Sequence, residues 1–147
     1  MKTRVLIVDD EEEFVQVLSE RLTIRDYDVT TSLSGEDAIE KVKHYNFDVI
    51  ILDVLMPSKD GVETLREIKT IKPLIEVIML TGHATVPSAV DGMKLGAFDY
   101  LLKPCETKEL VAKINAAFER KSEQEERIRE AKVREIISSP RAALEDD

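Results

Sequence analysis

The chain has 147 residues, 43% of them hydrophobic and 35% charged, which fits one compact domain with a sizeable core and leaves no room for a second. A formal net charge of −9 argues against holding nucleic acid by phosphate neutralisation, which needs clustered Lys and Arg, but leaves a basic protein partner open. The one cysteine, Cys105, has no internal disulfide partner, no apolar run reaches the ~20 residues of a membrane span, and residues 5–8 are too short for a signal-peptide core, so a cytoplasmic protein is expected.

Taken in order, short apolar runs alternate with amphipathic segments. Val5-Leu6-Ile7-Val8 is strand-like and ends on two carboxylates, Asp9 and Asp10. Residues 11–25 carry Phe14, Val15, Leu18 and Leu22 at helical spacing, behind an acidic first turn that suits a helix N-terminus. Residues 27–31 are a weaker strand candidate, and Ser34-Gly35-Glu36-Asp37 resembles a capping box opening a helix through about His44. Residues 48–57 form a β-branched run that stops on Asp53 and turns at Pro57. Such continuity predicts a strand covered on both faces, because a half-exposed strand would alternate. Residues 62–71 read as a helix that Pro73 stops, and residues 76–81 as a buried strand ending on the Thr81 hydroxyl. A loop at 82–85, a short helix at 86–95, a turn at Gly96-Ala97 and a last strand at 98–102 follow, closed by Lys103-Pro104. Residues 107–118 form a helix with Leu110, Val111, Ile114 and Ala117 inward.

Five strands alternating with five helices predict an α/β fold, a doubly wound five-stranded parallel sheet with a helix as each crossover. Function in such sheets collects at the C-terminal strand ends where the strand order reverses. With the order 2-1-3-4-5, Asp9, Asp10, Asp53, Thr81 and Lys103 converge on one edge. Packed carboxylates repel, and a cation or a proton relieves this. Oxygen-only ligands favour Mg²⁺, and neither His nor Cys stands near enough to suggest zinc. Asp53 then suits the role of a nucleophile that forms an acyl phosphate, with Lys103 as a fixed positive charge and Thr81 as a donor to a phosphoryl oxygen.

These residues resemble the receiver domains of bacterial two-component response regulators. The resemblance rests on Val8-Asp9-Asp10, Leu52-Asp53-Val54-Leu55-Met56-Pro57, Asp60-Gly61, Thr81-Gly82, Tyr100 and Lys103-Pro104, and covers roughly residues 3 to 120. It implies the flavodoxin-like receiver fold and a cis Lys103-Pro104 bond. It also implies that Asp53 takes phosphate from a histidine kinase or phosphotransfer protein. Asp9, Asp10, Asp53 and the backbone carbonyl of Leu55 would hold Mg²⁺, and Thr81 and Lys103 would bind the phosphoryl group. Tyr100 matches the family's switch aromatic. Leu55 and His83 match positions that tune the rate at which water reaches the phosphoryl group. The implied partners are the kinase and a downstream protein or an output domain outside this chain, with a phosphorylation-dependent homodimer among the outcomes.

Singly, each residue has an ordinary reading: an acidic helix start, a turn aspartate, a cap, a strand aromatic, a surface lysine. Their placement at four strand ends is what favours function. Two other classes share parts of the pattern. A flavin-binding electron carrier needs a Gly/Ser/Thr-rich phosphate loop where Asp9-Asp10-Glu11-Glu12-Glu13 stands, and an aspartyl-nucleophile phosphohydrolase needs an Asp-x-Asp loop where Val54-Leu55 follow Asp53. Residues 119–127 contain no apolar side chain, and the stripe from Ile128 to Ile137 is short and imperfect. A charged helical extension and disordered tail are therefore expected over 121–147.

Overall fold

The computed structural model describes residues 2–56, 60–82 and 86–138. Strands and helices alternate as β1 (Arg4–Val8), α1 (Glu12–Ile24), β2 (Asp28–Ser32), α2 (Gly35–His44), β3 (Val49–Leu52), α3 (Gly61–Ile71), β4 (Glu76–Thr81), α4 (Val86–Lys94), β5 (Asp99–Leu102) and α5 (Thr107–Ser138). The strands are all parallel, in the order β2-β1-β3-β4-β5.

The central strands are apolar throughout because both their faces are covered. Leu6, Val8, Ile50, Leu52, Val77 and Met79 pack with Ala38, Ile39 and Val42 of α2 and Leu65 and Ile68 of α3. Their neighbours Val5, Ile7, Val49, Ile51, Ile78 and Leu80 pack on the other face with Val15, Leu18 and Leu22 of α1 and Leu110, Ile114 and Ala117 of α5. Each such Val, Leu, Ile or Met side chain contributes about 1.5–3 kcal/mol on burial, so every residue of β3 fixes the register.

Local signals set the helix starts. Ser34 Oγ accepts from the Asp37 N–H at 3.1 Å, which is half of a capping box; the Asp37 carboxylate lies 2.9 Å from Lys41. Asp60 caps α3, accepting from the Glu63 N–H at 2.8 Å. β2 begins at Asp28 and not Tyr27, because the Tyr27 ring turns into the core and its hydroxyl donates to Asn115 Oδ1 at 2.6 Å. Phe98 likewise precedes β5, its N–H donating to the Val77 carbonyl at 2.7 Å. The Gly96 turn has a φ of +100°, a region glycine enters without steric cost. The Lys103-Pro104 bond is cis.

The helical extension expected beyond residue 120 is present: α5 runs unbroken for 32 residues, about 48 Å at the α-helical rise, but its root is anchored where a solvated extension was expected. The first residues beyond Phe118 are anchored ones. Lys121, itself buried, reaches Asp48 Oδ1 at 3.1 Å, and Arg120 Nε reaches Glu76 Oε2 at 2.9 Å. Both carboxylates are buried where β3 and β4 begin, so α5 is fastened across the sheet edge opposite the strand C-termini. Only from Glu126 to Ser138 is every residue exposed.

Burial pushes the Asp48 carboxyl up, but hydrogen bonds from Arg4 and Lys121 outweigh it and hold the group below the usual carboxylate range. A depressed carboxylate contributes stability above its unfolded pKa of about 4 and loses it as pH falls through the folded value. Lys121→Met is therefore expected to cost about 1–3 kcal/mol near neutral pH, less than a fully orphaned charge because Arg4 remains. Urea titrations should show that difference shrinking below pH ~4; a gap that stays constant with pH would rule the ion pair out as its source.

Candidate functional site

Backbone hydrogen bonds run one residue past the strands and fix what comes next. Asp9 N–H donates to the Ser32 carbonyl at 3.1 Å, Asp53 N–H to Val8 at 2.9 Å, and Lys103 N–H to Thr81 at 2.9 Å. The residues predicted at the strand ends thus come together at one edge. One carboxylate oxygen from each of Asp9, Asp10 and Asp53 lies within 4.8 Å of the others. Asp9 and Asp53 are buried at 1% and 3% exposure, Asp10 is exposed, and Thr81 is fully buried.

The electrostatics are unbalanced at Asp53. Its Oδ1 is buried and has no hydrogen-bond partner. Such a group costs about 1–3 kcal/mol or more unless a proton or a cation satisfies it. Burial pushes the Asp9 carboxyl up, against hydrogen bonds from Lys103 and the Glu11 N–H that favour its charge. Lys103 Nζ lies 2.6 Å from Asp9 Oδ2, 3.0 Å from Glu11 Oε1 and 4.0 Å from the Phe14 ring centroid. Burial alone would lower the lysine's pKa; the two carboxylates more than reverse this and raise it. Its hydrogen bonds go to Asp9 and Glu11 of the β1–α1 loop.

The donor set fits a hard divalent cation: three carboxylates, one buried oxygen without a partner and, among the described residues, no His or Cys in the cluster. Leu55, between buried Val54 and Met56, is 53% exposed at the mouth of the edge. Tyr100 is half-buried against the α2/α3 core, beside α4, where a Cβ at Gly92 would come within 3.9 Å of its ring. His83 lies outside the described residues, as does Pro57. Cys105 is half-buried, and burial together with Glu109 and Glu106 pushes its thiol up, away from a reactive thiolate.

Two residues do more than their sequence reading implied. Gly61, read as part of a turn, opens α3 directly against the acceptor: its N–H donates to the Val54 carbonyl at 2.6 Å, and a Cβ there would fall 2.1 Å from the Asp53 carbonyl oxygen. The Asp60-Gly61 pair was the only local signal for it. Glu11, read as one of three acids in a helix start, reaches Lys103 from 92 residues away, which no local pattern announces.

A family model described as the response regulator receiver domain matches residues 5–115. Among curated relatives, the chain is 37% identical over 120 residues to the alkaline phosphatase synthesis transcriptional regulatory protein PhoP of Bacillus subtilis, covering 82% of this chain and 50% of that protein. It spans about half the length of that relative and about a quarter of others. Among solved structures, a CheY-like receiver domain protein from Methanospirillum hungatei superposes with a TM-score of 0.82 at 25% identity, covering 84% of this chain and 99% of that one. A response regulator from Burkholderia pseudomallei, solved with a phosphorylated aspartic acid, a calcium ion and citrate, superposes with a TM-score of 0.74 at 27% identity, covering 84% and 73%.

Proposed function

The chain belongs to the response regulator receiver domain family, and from that premise we propose that Asp53 is its phosphoacceptor, charged by a histidine kinase or phosphotransfer protein. The observation that carries this is the buried, unpartnered Oδ1 of Asp53 beside the Asp9 and Asp10 carboxylates. An oxygen of Asp53 attacks the phosphorus of a phosphohistidine; the P–O bond forms as the P–N bond breaks, and the electron pair stays on the imidazole nitrogen.

Asp9, Asp10, Asp53 and the Leu55 backbone carbonyl would hold Mg²⁺, which supplies positive charge to the phosphoryl oxygens. Lys103 and Thr81 donate hydrogen bonds to those oxygens. This is a signalling switch and not a metabolic enzyme, although the domain provides catalytic groups for its own phosphorylation and hydrolysis. Leu55 offers no hydrogen bond to an attacking water. His83 is the second rate-tuning position.

Phosphorylation adds a charge of about −1.5 to −2 at the edge. Thr81 moving toward the phosphoryl group vacates space for Tyr100, and the surface of α4, β5 and α5 changes for a downstream protein or an output domain outside this chain, or for a second copy. Among the described residues no helix is long and apolar enough to cross a membrane; the proposed site of action, beside its kinase, is the cytoplasm. Acetyl phosphate with Mg²⁺ should give one phosphoryl adduct by intact mass, labile to base and to hydroxylamine as an acyl phosphate is, and lost without metal. Tyr100→Ala should keep the adduct but erase its effect on size-exclusion behaviour or partner binding. An adduct that forms equally without metal would contradict the proposed site.

A further inference from the structure

Helix α1 starts without a side-chain cap, whereas α2 and α3 are capped by Ser34 and Asp60. Glu11 holds the capping position, and Glu is not among the residue types favoured there. Its carboxylate is engaged elsewhere, 3.0 Å from Lys103 Nζ, while its backbone N–H donates to Asp9 Oδ1 at 2.9 Å. An ammonium has three N–H donors. Those of Lys103 meet Asp9 and Glu11, and the Phe14 ring covers a further side of Nζ. The lysine side chain is 14% exposed and that of Glu11 63%. Before any phosphoryl group arrives, the cation is already committed to the β1–α1 loop.

We propose that Glu11 is a positioning residue: it holds Lys103 on the β1–α1 loop in the unphosphorylated protein, and a phosphoryl group on Asp53 must draw the ammonium away from it. The inference rests on the reading of Asp53 as phosphoacceptor. Asp9 is shared with the metal site, so its pull on Lys103 weakens when a cation binds. Glu11 lies outside the three-carboxylate cluster and keeps competing. Because it is largely exposed, its pull is moderate, which suits a residue that sets how readily the phosphorylated state forms.

Calorimetric titration of beryllofluoride with Mg²⁺ into the wild-type chain, Glu11→Gln, Glu11→Asp and Glu12→Gln tests this. Glu11→Asp is decisive, because it keeps the charge but loses the reach to Lys103, its shorter carboxylate being suited to capping α1. Glu12→Gln removes one charge from the next, exposed position. Glu11→Gln and Glu11→Asp are expected to bind the mimic about three- to fivefold more tightly, and Glu12→Gln to stay within about twofold of wild type. If Glu11→Asp matches wild type while both Gln variants tighten, only local charge matters and the positioning role is overturned, with the Asp53 reading intact. No binding to the wild-type chain would overturn both.

Discussion

Gly61→Ala is expected to destabilise the protein by about 3 kcal/mol and to slow phosphorylation of Asp53 by tenfold or more. Helix propensity predicts the opposite sign, since alanine exceeds glycine by about 1 kcal/mol within a helix. Sterics decide. The added methyl would lie 2.1 Å from the Asp53 carbonyl oxygen and 2.7 Å from Val54 Cα, both backbone atoms with no rotamer to escape into. The Gly61 N–H is hydrogen-bonded to Val54 at 2.6 Å, so α3 can retreat only by breaking the bond that seats it. Either α3 lifts, or the peptide carrying the acceptor shifts, and an ångström of displacement is enough to spoil an attack geometry. Urea denaturation read beside the rate of adduct formation from acetyl phosphate checks both halves. A variant as stable as wild type would mean that the α3 N-terminus is softer than its packing indicates.

Lys103→Met should move two affinities in opposite directions. The substitution keeps a comparable apolar stem but removes the cation that stands against Asp9 and Glu11. Without metal, Asp9 must be protonated or remain a buried, poorly compensated charge, and the cost is about 2 kcal/mol, moderated because burial already favours its protonated form. Mg²⁺ then replaces the missing charge without displacing an ammonium. Its binding tightens, and saturating metal should recover most of the lost stability through mass action. The beryllofluoride complex loses a direct donor and weakens by tenfold or more, in the range of a charge-assisted hydrogen bond. Thermal unfolding with and without Mg²⁺, with calorimetry for the mimic, separates the effects. Weaker binding of both ligands would indicate a collapsed site.

The residues that made the fold legible are those whose environment is set by the sheet itself. Val49 to Leu52 and Glu76 to Thr81 read correctly as buried strands because two covered faces leave no alternation. The residues following those runs read correctly as neighbours because strand order alone carries them to one edge. At the margins, local pattern competes with tertiary contact. Tyr27 has strand propensity, yet its ring and hydroxyl are claimed by α5. Helix α5 lost its apolar stripe after Phe118 because its partners there are carboxylates: Asp48, 73 residues from Lys121, and Glu76. Ion pairs of that separation leave no periodicity to read. At the C-terminal edge of the sheet, the placement of Asp9, Asp53, Thr81 and Lys103 just at or after the strand ends was legible, but the lysine's commitment to Glu11 was not. Whether a long side chain turns to one carboxylate or another depends on burial and distance.

On the proposed function, Asp53, and no other carboxylate of the cluster, carries the phosphoryl group. Borohydride reduction of the phosphorylated chain converts an aspartyl phosphate to homoserine, and peptide sequencing by mass spectrometry then reads the position directly. Homoserine is expected at residue 53 alone, dependent on Mg²⁺ during phosphorylation. Homoserine at residue 9 or 10, or a phosphorylated protein with none, would contradict it.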